Sequence, residues 1–134
     1  MKRWLQLCVI GLVITVTACE PDDNDDPAVN YQEDFVGTWN CNETKGINAQ
    51  QFYTVVIEEG SNSSKIVITK LYNDNSTRVM ADLNGLSFTI PEQTSSGIDF
   101  SGTGKASVNF NQINITFTAS DGGGADLVEA VLTK

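Results

Sequence analysis

From Phe35 onward the chain repeats one pattern: short runs of alternating apolar and polar residues, separated by clusters of Gly, Asn, Asp and Ser. A period of two places alternate side chains on opposite faces of a β-strand, so the pattern predicts an all-β domain. It divides into eight strands, near 35–41, 52–59, 65–72, 77–83, 86–90, 97–106, 112–119 and 126–133. In "LSFTI", Leu86, Phe88 and Ile90 share one face while Ser87 and Thr89 share the other. In "INITFTA", Ile113, Ile115, Phe117 and Ala119 line up in the same way, and Val128, Ala130 and Leu132 form the matching set in the last strand. These faces are expected to line an interior. "YTVVI" is mixed and leaves its register open. No amphipathic helix of useful length competes with the strands.

The segments between the strands decide how they connect. Asn84-Gly85 reads as a two-residue hairpin turn, because both residue types tolerate φ > 0. "EGSNSS", "NDNS", "PEQTSS" and "DGGGA" read as short turns too, so successive strands are expected to pair as antiparallel neighbours. Strands joined this way leave two exposed edges unless the sheet closes. The expected architecture is therefore a small eight-stranded antiparallel up-and-down barrel, which has no edges. A two-layer sandwich is the alternative, and it needs a long crossing connection for which "NETKGINAQQ", residues 42–51, is the candidate. Gly102 and Gly104 in "FSGTGKA" are expected to bend the sixth strand or carry a bulge. They do not form a phosphate-binding loop, since Asp99 stands where its first glycine would be and Ala106 where a hydroxyl would follow the lysine.

Ahead of the strands the pattern changes. Residues 1–18 open with Lys2 and Arg3, continue through an apolar run from Trp4 and end on small residues, the layout of a secretory signal. As a helix, the run from Trp4 to Ala18 would span roughly 22 Å, short of the roughly 30 Å hydrocarbon core. Val16, Thr17, Ala18 and Cys19 resemble the lipobox of bacterial lipoproteins. The resemblance implies cleavage after Ala18 and lipidation of Cys19, giving a membrane anchor of two or three acyl chains, which hold stably where one would not. Residues 19–31 then form an acidic, proline-containing tether with no basic residue, expected to be disordered. An acidic run directly after the lipidated cysteine also resembles the export signal that sends lipoproteins of Bacteroidota to the cell surface. The implied location is the outer membrane, with the domain of residues 32–134 displayed outside. A plain spacer on a periplasmic lipoprotein remains the other reading.

Charge and cysteine content narrow the function. The formal net charge is −9, and acidic residues outnumber basic ones beyond the tether as well, which argues against nucleic acid and against docking onto anionic lipid. Cys8 leaves with the signal and Cys19 is lipidated, so Cys41 has no disulfide partner and reads as a small core residue. The chain has no histidine to serve as a general base or to activate a thiol. Glu58 with Glu59, and Asp121 with Asp126, read as solvated carboxylates, and "DDNDD" lacks the glycine turn and terminal glutamate of a Ca²⁺ loop. No catalytic residue, metal site or cofactor is expected, and the protein is read as a non-enzyme.

"FVGTWN", residues 35–40, is similar to the opening strand of the lipocalin and wider calycin group, whose signature is Gly-x-Trp. Gly37 and Trp39 occupy those positions. In that family the tryptophan plugs the closed end of the barrel beneath a basic side chain that follows the last strand. No arginine stands there in this chain, which leaves Lys134 to cover Trp39 through its stem. The first loop is a lid in that family, and residues 42–51 would correspond to it. The domain is shorter than a typical lipocalin and is described as lipocalin-like. The resemblance implies a small apolar ligand held in or at the mouth of the barrel, with Trp39, Phe88, Phe100 and Phe117 as candidate lining residues. The competing expectation is a filled barrel acting as an interaction module, using its loops against a protein or glycan, in which case those residues are simply core.

Overall fold

The computed structural model describes residues 31–134; the leader, the lipidation candidate Cys19 and the tether up to Asn30 lie outside the described residues. One helical turn, α1 (Gln32–Phe35), leads into β1 (Gly37–Lys45), β2 (Gln51–Glu59), β3 (Lys65–Thr69), β4 (Arg78–Asn84), β5 (Ser87–Ser95), β6 (Ile98–Ala106), β7 (Gln112–Ser120) and β8 (Ala125–Thr133). The strands form a closed antiparallel barrel in chain order, and β8 returns to pair with β1 through Cys41↔Leu132 and Glu43↔Ala130. The sheet therefore has no free edge, and the sandwich alternative does not apply. At the seam β1 bulges by one residue between Glu43 and Lys45, and the Thr44 hydroxyl donates to the Glu129 carbonyl at 3.1 Å.

The predicted inner faces point inward. Ile113, Ile115, Phe117 and Ala119 of β7, and Val128, Ala130 and Leu132 of β8, are all buried, as are Phe88 and Ile90 of β5. Leu86 is only partly buried, because it falls in the turn before β5. The open register of "YTVVI" resolves with Val55 and Ile57 inside and Tyr53 on the same face.

One end of the barrel is plugged. Phe35 of α1 is fully buried and meets Phe88 and Phe110 edge-on, with ring centroids 5.7 and 5.1 Å apart. Tyr31 packs on Phe110 at 5.5 Å. Trp39 is also fully buried, and its indole N–H donates to the Phe35 carbonyl at 2.8 Å, which ties the plug to the first strand. The Lys134 ammonium lies 4.6 Å from the Trp39 ring centroid and donates to the Asp34 carbonyl at 3.1 Å. Lys134 thus caps the tryptophan with its charge and not only with its stem. Gln32 fixes the other side of α1 by donating to the carbonyls of Asn62 and Lys65.

Several connections differ from expectation. β1 starts later and runs to Lys45, so "NETK" is strand and the first loop shrinks to residues 46–50; the 42–51 lid is absent. The hairpin after β4 pairs Asn84 with Ser87, which makes Gly85 and Leu86 its central residues, with φ +64 at Gly85. "PEQTSS" is mostly strand. Pro91 lies where β5 bulges between Ile90 and Gln93, one of the few sheet positions that tolerates its missing N–H. The turn is instead Ser96-Gly97, with φ +56 and +77, the signs of a type I′ hairpin.

Past this bulge the backbone of β5 parts from β4, and side chains bridge the gap. The Gln93 amide accepts from the Met80 N–H and donates to the Met80 carbonyl, both at 2.7 Å. Ser95 Oγ accepts from the Arg78 N–H at 2.7 Å.

Gly102 and Gly104 carry no bulge, since β6 runs in unbroken register with β7. Their role is close approach. A Cβ at Gly104 would overlap the Phe88 ring, and one at Gly102 would overlap the Thr116 carbonyl and the Phe117 backbone. The Phe88 ring thus occupies the space a side chain at 104 would take, and the β7 backbone the space of one at 102. Gly104→Ala is expected to overpack this layer and lower stability by about 1–3 kcal/mol. Urea unfolding checks this, and adding Phe88→Leu should recover part of the loss.

Candidate functional site

The end opposite the plug carries the loops 46–50, 70–77, 96–97 and 121–124. Here the inward-facing positions turn polar. Following β1 in steps of two, Trp39 and Cys41 are succeeded by Glu43, which is 0% exposed. On β8 the same step back from Val128 reaches Asp126, 6% exposed. Because β1 and β8 are neighbours across the closure seam, both carboxylates enter the same end of the interior.

Two tyrosines organise them. The Tyr53 hydroxyl donates to Glu43 Oε2 at 2.6 Å and accepts from the Tyr72 backbone N–H at 3.1 Å. The Tyr72 hydroxyl donates to Asp126 Oδ2 at 2.9 Å, and Asp126 also accepts from the Ile47 N–H at 2.9 Å. Glu43 Oε1 has no partner, and it is the only buried side-chain polar atom among the described residues in that state. Leaving a buried polar atom unpaired costs about 1–3 kcal/mol.

Burial pushes the Glu43 carboxyl above the usual carboxylate range; the Tyr53 hydrogen bond opposes the rise and the Asp126 charge adds to it. Burial raises the Tyr53 phenol strongly, with the Cys41 and Glu43 groups adding to the shift. The Tyr72 phenol is pushed up to about 12 by burial and by its bond to Asp126. Cys41 is a free, buried thiol pushed up to about 11 by burial. It stays protonated at neutral pH and is a poor nucleophile.

Tyr72 is held over this cluster by a strained connection. Between β3 and β4, Lys70, Tyr72 and Asn73 all adopt positive φ, at +69, +62 and +56. A left-handed conformation costs a non-glycine residue about 1–2 kcal/mol. Leu71, fully buried, anchors the segment together with the Thr77 hydroxyl, which donates to the Leu71 carbonyl at 3.0 Å. The Tyr72 ring meets Phe117 edge-on at 6.3 Å. Beside it lies a cavity of about 130 Å³ lined by Ile47, Tyr72, Ile98, Ala119, Asp121 and Asp126. That is room for a few heavy atoms, below the usual size of a drug-like site.

The candidate residues of the sequence analysis divide between the two ends. Trp39 and Phe88 belong to the plug, whereas Phe100 and Phe117 pack together at 6.1 Å beneath the mouth. All four are at most 1% exposed, so each is also part of the packed core. Glu43, Tyr53 and Tyr72 were not foreseen as site residues. Asp126 was read as solvated and is instead buried and hydrogen-bonded. The signal for the two acids lay in the alternation, which carries inward past Cys41 to Glu43 and back from Val128 to Asp126. Glu58, by contrast, is a half-exposed carboxylate paired with Arg78 at 3.1 Å on the outer surface. A second depression, about 460 Å³ and open to solvent, runs along the outside of β5, β6 and β7 between Glu92, Thr94, Asp99, Ser101 and Thr118.

No family model matches the chain, and no curated protein matches it either. Among the described residues no three His, Cys, Asp or Glu side chains are grouped to hold a metal ion.

The Glu43 shift fixes the sign of a pH effect. Its carboxyl holds a proton to higher pH in the folded chain than in the unfolded one. The folded state therefore binds more protons between the ordinary and the raised value, and stability falls as pH rises through that window. Glu43→Gln should remove the fall, so that the variant gains stability relative to the wild type as pH rises through the window and differs little from it in acid. Thermal melts of both proteins across pH 4 to about 8 measure this.

Proposed function

We propose that this protein is a non-enzymatic, lipid-anchored binding domain, tethered through Cys19 at the outer membrane and taking a small, largely apolar ligand at the open mouth of a lipocalin-like barrel. The asymmetry between the two ends carries this reading. One end is filled by Phe35, Trp39 and Lys134, while the other holds a cavity under a strained tyrosine, flanked by Ile47, Ile98 and Ala119. A barrel stabilised by packing alone gains nothing from buried carboxylates with an unpaired oxygen at one end; a barrel that recognises something there does. Trp39 beneath a basic side chain supports the lipocalin-like comparison, as do the strand count and Gly37. The raised Cys41 thiol and Tyr53 phenol act as protonated hydrogen-bonding groups, which favours binding over catalysis.

The second reading is an interaction module, favoured by the outer depression along β5 to β7, whose Glu92, Thr94, Asp99 and Ser101 suit a hydroxyl-rich glycan or a peptide backbone. Methyl and amide NMR of the labelled protein during a small-molecule screen separates the two. Ligands that shift Ile47, Ile98 and Ala119 support the mouth, and glycans or peptides that shift Ser101 and Thr118 support the outer face. The anchor has its own test. The mature N-terminus is expected to be a diacylglyceryl-modified Cys19 by mass spectrometry, and Cys19→Ala should move the protein from the membrane to the soluble fraction. Protease treatment of intact cells should remove the wild-type domain if it is displayed outside.

A further inference from the structure

We propose that the ligand's polar head is a cation, a primary ammonium or similar compact donor, received by Glu43 with Asp126 once Tyr72 swings off the mouth. This rests on the mouth being the ligand entrance, and it specifies the chemistry of what enters.

The argument starts from hydrogen-bond capacity. Tyr53 has one proton and spends it on Glu43 Oε2, and its oxygen is used by the Tyr72 N–H. The Tyr72 proton is spent on Asp126. Glu43 Oε1 therefore faces an interior in which the nearby hydroxyl donors are already committed. Every other titratable group that influences Glu43, or is influenced by it, is acidic or neutral: Cys41, Tyr53, Tyr72 and Asp126. The ion-paired cations among the described residues, Lys45, Lys65 and Arg78, are engaged with Glu129, Asp82 and Glu58. Two carboxylates share one end of a low-dielectric interior, none of the ion pairs among the described residues reaches either of them, and a visiting cation relieves both the missing bond and the repulsion.

The arrangement favours an ammonium over a metal ion. A divalent cation needs several oxygens converging with open lone pairs, whereas here Glu43 Oε2 and both Asp126 oxygens already accept hydrogen bonds. An ammonium needs only one acceptor for each N–H: Glu43 Oε1 is open already, and Asp126 Oδ2 and the Tyr53 oxygen each lose a donor when Tyr72 leaves. The cavity that Asp126 lines together with Ile98 and Ala119 leaves space for a short alkyl chain. Tyr72 is the gate, because its hydroxyl bonds Asp126 and its backbone N–H bonds the Tyr53 hydroxyl that serves Glu43.

The test uses the purified full chain with butylamine, butan-1-ol and butyrate as probes of equal length, followed by the methyl signals of Ile47, Ile98 and Ala119. Butylamine should bind about tenfold or more tightly than butanol, with butyrate weakest. Glu43→Gln should erase the preference for the amine while leaving butanol binding in place. The Glu43 carboxyl carbon of the wild-type protein, followed by ¹³C NMR through a pH titration, should ionise at lower pH with butylamine present and not with butanol, a readout independent of any variant. Equal binding of amine and alcohol, or a Glu43 titration that butylamine leaves unmoved, overturns the cationic head while the mouth remains a binding site. Failure of every probe to shift the mouth methyls overturns both readings.

Discussion

The pairing of β8 with β1 is the interaction on which the rest of this structure depends. Without it, β1 and β8 would be edge strands, each with a row of unpaired backbone groups. With it, every strand has two neighbours and the curvature of the sheet creates an inside. Closure also decides which residues become chemistry. Register at the seam sets Glu43 opposite Ala130 of β8, a side chain too small to cover it, and brings Asp126 of that same strand to the same rim. A slip of one residue would turn Trp39, Cys41 and Glu43 outward together, removing the plug and the acidic cluster at once.

The interior built by this closure is graded along the barrel axis. At the plug, aromatic rings meet edge to face around Phe35, the indole N–H of Trp39 finds a carbonyl, and no buried side-chain polar atom is left over. In the middle, Gly104 makes room for the Phe88 ring and Gly102 for the β7 backbone at Thr116 and Phe117, so the barrel is filled partly by a ring lying across backbone. At the mouth, hydroxyls and carboxylates replace hydrocarbon and the covering segment is strained. Strain and unsatisfied polar atoms are the costs that packing alone would remove; among the described residues five of the six non-glycine residues at positive φ lie in the mouth loops, Phe110 at the plug being the sixth, and the unpaired Glu43 oxygen lies at the mouth with them. That coincidence separates a functional end from a structural one more clearly than cavity size does.

The strands and the closure were legible because alternation is a local property: "INITFTA" and "VEAVLT" declare their inner faces without knowledge of any partner. Features that depend on two strands were not. Gly102 and Gly104 read as a bend because nothing within β6 shows that Phe88 and Phe117 lie against it from the strands on either side. Pro91 read as a turn because the bulge that accommodates it is defined only by β5 against β6. Glu43 sat in a polar stretch that looked like loop, although counting by two from Trp39 places it inside. For Tyr72 no signal was available, since its position arises from three left-handed residues that carry no glycine. For Lys134 the sequence offered only a stem that could stand in for the missing arginine, from a terminal position poorly suited to clamp; its ammonium instead reaches both the ring and the Asp34 carbonyl.

Gln93 makes one seam of the barrel depend on side chains. Between β4 and β5, toward the mouth, the backbone ladder gives way to a glutamine amide and a serine hydroxyl. Peptide groups are common to every sequence, whereas these two tethers belong to particular residues. Exchanging them would alter the spacing of the two strands near the opening, with strand number and turn lengths unchanged.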